Sequence, residues 1–297
     1  MITGKPMKLA ILVLMIMFLP LKAFCQDEMF IGLIPDYNIF EQVKRHKPLA
    51  AYLTKKLGVK VRLTILSRYG DIINRFESGR MDGAFFGILT GYLAMEKLGV
   101  EPIATAVSLD GKSTTQSYIF VRKDSGIKTV KDMQGKRIAF VDNLTMTGFL
   151  YAVSYLKENG VHNPETYFRD YSFTGSHDSV IYSVLDNRAD IGCVKASIYK
   201  KMIEKDSSIN NELSVISISK EFPSGTLSVR KSMPSQMKSR LKTVLLHMKE
   251  DEEGKEVLNR LGALNFEDAK KRDLSIVRDL IRRSGNTFKD RQSLENR

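Results

Sequence analysis

Cysteine is almost absent from this chain: among 297 residues there are two, Cys25 and Cys193. Cys25 closes a leader-like segment, so Cys193 alone remains in the mature chain. That excludes an intramolecular disulfide and a cysteine-rich zinc site. The apolar setting Ile191-Gly192-Cys193-Val194 reads as a buried structural thiol. Histidine is also scarce, with only His46, His162, His177 and His247. No HExxH, GxSxG or Walker pattern occurs, and the side chains of His177 and Asp178 would diverge at a helix start rather than build a Ser-His-Asp relay. The chain therefore reads as a non-enzyme with no metal and no cofactor. Long apolar runs are lacking too: Leu9–Leu19 has 11 residues, short of the ~20 that a spanning helix needs. No repeat of roughly 20–50 residues is evident, which argues against a solenoid.

That short run sits behind Lys5 and Lys8 and ahead of Ala23 and Cys25, which occupy the −3 and −1 positions of a secretory signal cleaved after Cys25. Acylation of Cys25 would want a small residue where the bulky Phe24 stands. The mature protein is thus expected in the periplasm. The formal charge of +12 looks like a nucleic-acid signal. Basic residues are interleaved with acids, however, as in Lys249-Glu250-Asp251-Glu252-Glu253-Gly254-Lys255, and a solvated surface without a nucleic-acid partner is the better reading. A mild pull on anions remains.

From Met29 onward, short apolar runs alternate with amphipathic segments, the pattern of an α/β protein rather than a bundle or sandwich. One unit of strands and helices runs from Met29–Ile34 to Pro102–Val107. A polar stretch, Asp110–Gln116, leads into the β-rich segment Ser117–Arg122, and a second unit runs from the strand Arg137–Val141 to the strand Leu213–Ile218. Glu221–Gly225 breaks the pattern before a strand at Thr226–Val229. Helices over Gln236–Met248, Glu252–Leu261 and Ser275–Arg283 are expected to pack back onto the first unit. The expected organisation is a signal peptide at 1–25, lobe 1 from 26–115 with 225–285, lobe 2 at 116–224, and a frayed tail at 286–297. Each lobe is a mixed sheet flanked by helices, and the two crossings form a hinge beside a cleft suited to capture and release. Two strand ends in lobe 2, Val141–Gly148 and Phe173–Asp178, feed helix N-termini carrying hydroxyls and a histidine. Unpartnered N–H groups and the helix dipole there suit a small oxyanion.

Asp82-Gly83-Ala84-Phe85-Phe86-Gly87, Asp124-Ser125-Gly126-Ile127, Asp132–Asp142, Thr145-Met146-Thr147-Gly148 and Thr174-Gly175-Ser176-His177-Asp178, taken in order, resemble the phosphate/phosphite/phosphonate-binding proteins of ABC importers, the PhnD-like group of type II periplasmic binding proteins. The resemblance spans about Phe30 to Gly262. It implies a head group held by Thr145, Met146 and Thr147, by His177, and by tyrosines matching Tyr92 and Tyr118. Tyr37 lies where a cleft wall should be. Each has a plainer reading: Thr145 as a helix cap, His177 as an internal hydrogen-bonding group, Tyr92 as core, Tyr118 as hinge packing, with Ser176 the cap of the second helix.

Two departures bear on the ligand. Met146 interrupts what is usually a run of three hydroxyl residues. Lys195 stands where the family commonly carries an acid, which points away from an aminoalkylphosphonate and toward an extra anionic group on the ligand, or simply a different solute. The resemblance implies a small oxyanion ligand, an ABC permease as partner, membrane contact only through that permease or a receptor, and a monomer. A ligand-sensing role beside a membrane receptor or histidine kinase, and the binding of another organic anion such as a carboxylate or sulfonate, are the alternatives.

Overall fold

The computed structural model describes residues 28–269 and 274–284, so the expected signal peptide and C-terminal tail lie outside the described residues. The chain opens with β1 (Glu28–Leu33), α1 (Ile39–Leu57), β2 (Lys60–Ile65), α2 (Asp71–Glu77), β3 (Gly83–Phe86), α3 (Ile88–Leu98) and β4 (Glu101–Ser108). Two short strands, β5 (Thr114–Thr115) and β6 (Ser117–Arg122), lead to β7 (Arg137–Phe140), a π-helical turn at Met146–Leu150 and α4 (Tyr151–Glu158). Next come α5 (Pro164–Tyr167), β8 (Asp170–Phe173), α6 (His177–Leu185), β9 (Ile191–Lys195), α7 (Ala196–Lys205), α8 (Ser208–Glu212) and β10 (Leu213–Ile218). The return runs through β11 (Phe222–Pro223), β12 (Thr226–Val229), α9 (Ser235–Leu246), α10 (Glu252–Leu261), β13 (Ala263–Asp268) and α11 (Ser275–Ser284).

These strands make two large sheets and a two-stranded ribbon, β5 with β11. The first has the order β13-β4-β12-β3-β1-β2 and the second β10-β6-β9-β7-β8. In each, three neighbouring strands are parallel, β2-β1-β3 and β8-β7-β9, and the remaining pairings are antiparallel. Strand β12 enters between β3 and β4, so the returning chain is built into the middle of the first sheet. The two crossings pair with each other, Thr115 opposite Phe222 and Thr114 opposite Pro223. The exposed Lys112–Glu221 ion pair beside this ribbon is screened by solvent and contributes little, whereas burying Phe222 contributes about 1.5–3 kcal/mol. The apolar ring is what fixes the ribbon.

Local signals explain the elements that matter for the cleft. The Asn38 side chain accepts from Glu41 N at 3.1 Å and starts α1, whose Leu49, Leu53 and Leu57 are buried against α9 and α10. The region 263–268, expected as a connection between helices, is instead edge strand β13, paired with β4. Helices α9 and α10 pack on α1, as expected, but α11 does not join them: Val277 and Leu280 bury against Ile88 and Leu89 of α3 and Met146 and Leu150 of the π-helical turn. That helix therefore straps one sheet unit to the other.

Candidate functional site

Between the two sheets lies a cleft of about 400 Å³. One wall comes from the end of β1 and the start of α1 with Asp36, Tyr37, Gln42, Arg45 and His46. The facing wall comes from the π-helical turn, the start of α6 and the end of β9.

The π-helical turn is held from behind. Ser117 Oγ and Cys193 Sγ both donate to the Thr147 carbonyl, at 2.5 and 3.2 Å. Gly148 is required by packing: a Cβ there would lie 2.5 Å from Val141 Cγ2 and 2.8 Å from Thr145 Oγ1. The first bond of the turn runs from Leu150 N to Thr145 O at 3.0 Å. The N–H groups of Met146, Thr147 and Gly148 precede it, so the helix offers them no acceptor. Thr145 donates its hydroxyl to Asp142 O at 2.7 Å, closing a turn rather than capping the helix. The Thr147 hydroxyl finds no partner among the described residues and lines the cleft. Met146 reaches the cleft too, but its side chain is 3% exposed and buried with Leu150, Phe222 and Val277. The residue that interrupts the hydroxyl run is the anchor for α11.

His177 begins α6 and is 2% exposed. Its Nδ1 accepts from the Lys195 backbone N–H at 3.0 Å, so the neutral ring carries its proton on Nε2. Burial pushes its pKa down from 6.5 to about 4, with Asp36 opposing that shift and Lys195 reinforcing it. The imidazole is therefore a neutral Nε2–H donor at ordinary pH. Such a donor can serve an oxyanion without a full counter-charge, and hydrogen bonds to charged groups are worth about 1.5–3 kcal/mol each.

Lys195 and Tyr37 also line the cleft. The Lys195 ammonium is committed to Asp36 at 3.2 Å, across the cleft, with about a quarter of each side chain exposed. Burial raises the Asp36 pKa, but Lys195, His177 and the Tyr69 hydroxyl, 2.9 Å from Oδ1, outweigh it and hold the carboxyl below its ordinary value. Tyr37 supplies a ring face to Arg45, whose guanidinium carbon stands 4.8 Å from the centroid.

The structure does not bring Tyr92 and Tyr118 to this cleft. Alternation along β6 sends Ser117 and Ile119 toward the π-helical turn and Tyr118 to the opposite face, where it meets Tyr199 edge-on at 5.6 Å. Tyr92 is half-buried one turn along α3 and packs with Ile88, Leu89 and Met146. Ser176 makes no capping bond. It donates instead to Asp178 Oδ1 at 2.5 Å, while Asp178 Oδ2 accepts from Asn38 N and Nδ2 at 3.1 and 2.7 Å. Asp178 thus clasps the start of α1 rather than merely serving the helix dipole. Asp36, Tyr69, Gln42 and Arg45 are cleft residues that sequence reasoning missed. Only Asp36 among them had a signal nearby, the segment Ile34-Pro35-Asp36-Tyr37-Asn38, a strand end running into a capped helix.

A family model described as "ABC transporter, phosphonate, periplasmic substrate-binding protein" matches residues 31–274. The chain is similar to the phosphate-import protein PhnD of Mycolicibacterium smegmatis, at 27% identity over 221 residues, 71% of this chain and 68% of that one. Its fold is similar to a binding protein component of an ABC phosphonate transporter from Pseudomonas aeruginosa, with a TM-score of 0.80 at 21% identity over 92% of this chain and 89% of that one. It is also similar to PhnD1 from Prochlorococcus marinus in complex with methylphosphonate, with a TM-score of 0.76 at 21% identity over 86% and 98% of the two chains. The chain belongs to the family of periplasmic substrate-binding proteins of ABC phosphonate transporters, a family that carries its ligand and does not transform it.

Proposed function

We propose that this protein captures a small phosphorus oxyanion, a phosphonate, phosphite or phosphate, in the interlobe cleft and delivers it to an ABC permease. The observation that carries this reading is the buried, neutral His177, whose Nδ1 is occupied by the Lys195 N–H. His177 shares the cleft with Thr147 and the start of the π-helical turn, whose first N–H groups receive no acceptor from the helix itself. Thr145 and Met146 shape the turn. The methylphosphonate complex of PhnD1 supports the ligand class.

Residues 26–115 with 225–285 and residues 116–224 act as two lobes closing about the β5–β11 ribbon. The segment 1–25 directs export, and the protein works as a monomer because closure of one cleft needs no second subunit. A thermal-shift screen of the ligand-stripped protein against phosphate, phosphite, methylphosphonate, sulfate and acetate tests this. A ligand at a hundredfold excess over Kd stabilises the native state by about 2.7 kcal/mol. A shift confined to phosphorus compounds is expected. A shift with acetate or sulfate alone would contradict the reading.

A further inference from the structure

The cleft is larger than a phosphite or methylphosphonate ion needs. At about 400 Å³ it falls within the range of pockets that hold drug-sized ligands, about 300–1,000 Å³. Its far end is strongly and asymmetrically charged. Of the cations lining it, Lys195 is paired with Asp36 and Lys112 with Glu221. Arg45, Lys201 and the exposed Lys200 have no carboxylate partner among the described residues, and of these Arg45 and Lys201 converge. Arg45, on α1, stacks on Tyr37 and donates to the Leu261 carbonyl. Lys201 reaches in from α7 on the opposite wall. The Arg45 guanidinium and the Lys201 ammonium both come within 3.1 Å of the point where a Cβ on Gly262 would stand, so the two heads are no more than about 6 Å apart. Gly262 ends α10 at φ 68°, and its missing side chain is what lets the two cations converge.

Two like charges brought together across a cleft repel unless an anion joins them. Burial, then Arg45 and Lys195, push the Lys201 pKa down to about 8, while Glu204 and Glu41 oppose this without forming an ion pair. One turn before Arg45, Gln42 is 2% exposed and gives its Nε2–H to Ile34 O, but its Oε1 has no partner. Thr115 Oγ1, 8% exposed on the hinge side, is likewise unpartnered. Both residues line the same cleft. A cleft wall with two orphaned polar atoms leading to two uncompensated cations fits a polar ligand tail with a negative end.

We propose that Arg45 and Lys201 form a second anionic subsite, which takes the carboxylate of a carboxyalkylphosphonate whose phosphonate end sits at His177 and the π-helical turn. This rests on the oxyanion reading above and specifies its substrate class. The fork of Arg45 matches a carboxylate in two hydrogen bonds, and Lys201 adds a point charge from the other lobe, so the tail also ties the lobes together. Lys195, the residue whose position first pointed to an extra anionic group, is neutralised by Asp36, and the role passes to these two cations.

Calorimetry with phosphonoacetate, 3-phosphonopropionate and 4-phosphonobutyrate against methyl-, ethyl- and propylphosphonate tests the subsite. At the favoured chain length the carboxylate compound is expected to bind at least about tenfold more tightly than its uncharged counterpart. Arg45→Gln and Lys201→Gln are each expected to cut that preference below about threefold while leaving alkylphosphonate affinity within about twofold. Alkylphosphonates that bind with no gain from a carboxylate at any length would overturn the subsite and leave the oxyanion reading standing. Variants that weaken both series equally would overturn it as well. Failure of all six compounds to bind would overturn both.

Discussion

A buried imidazole that stays neutral above about pH 4 leaves a mark on the stability of the whole protein. The folded pKa of His177 lies below its unfolded value of 6.5, so between these pH values the unfolded chain binds more protons and stability falls as pH falls. The loss from pH 7 to pH 5 is expected to be about 2 kcal/mol from this residue. His46, also pushed to about 4 by burial, adds in the same direction. Asp36, with its pKa held down, extends the loss to lower pH. Urea unfolding at both pH values checks this: His177→Gln should flatten the dependence by roughly half, and an unchanged slope would show that the ring is not buried and neutral. Cys193, fully buried with its thiol pushed up to about 12, should stay unreactive toward thiol reagents until the protein unfolds. Labelling of the native protein at the rate of a free thiol would contradict that. His177 and Lys195 were legible in the sequence as cleft residues because their positions follow strand ends. Their link was not, since the Lys195 N–H reaches His177 over a sequence separation of 18 that spans helix and strand.

At the scale of elements, the π-helical turn depends on one glycine. Gly148→Ala would press its methyl into Val141 and the Thr145 hydroxyl, and overpacking of this kind costs about 1–3 kcal/mol. Because the turn lines the cleft, ligand affinity is expected to fall along with the melting temperature. A variant that melts lower yet binds methylphosphonate as before would separate the turn from the site. Most helices and strands were legible because their apolar periods are regular. Strand β13 was not: a bulge between Ala263 and Asn265 leaves Ala263 and Phe266 as its buried residues, a spacing that reads as helical. The strands β5 and β11 are two residues each, too short for any periodicity, and they exist because the crossings lie side by side. Tyr118 was placed in the cleft by resemblance, whereas the pleat of β6 turns it to the other face.

At the scale of the molecule, three contacts hold the walls of the cleft together: Asp178 with Asn38, Lys195 with Asp36, and the His177 N–H with the Asp36 carbonyl at 3.3 Å. Removing one member of a charge-assisted pair costs about 1–3 kcal/mol. Asp178→Ala is therefore expected to weaken methylphosphonate binding about tenfold and to raise the radius of gyration of the unliganded protein in X-ray scattering. Equal scattering curves for the two proteins would mean that the clasp does not govern closure. The two-sheet division was legible from the polar crossings at Asp110–Gln116 and Glu221–Gly225. The strap formed by α11 was not, because nothing in its amphipathic pattern says which unit receives its apolar face.

The most direct test of the account is calorimetric titration of methylphosphonate into the ligand-stripped protein and into its His177→Ala variant. Saturable one-to-one binding to the former and at least about thirtyfold weaker binding to the latter are expected, the loss of a charge-assisted hydrogen bond in a buried site. Equal affinity in the two proteins, or no heat with methylphosphonate, phosphite or phosphate, would contradict it.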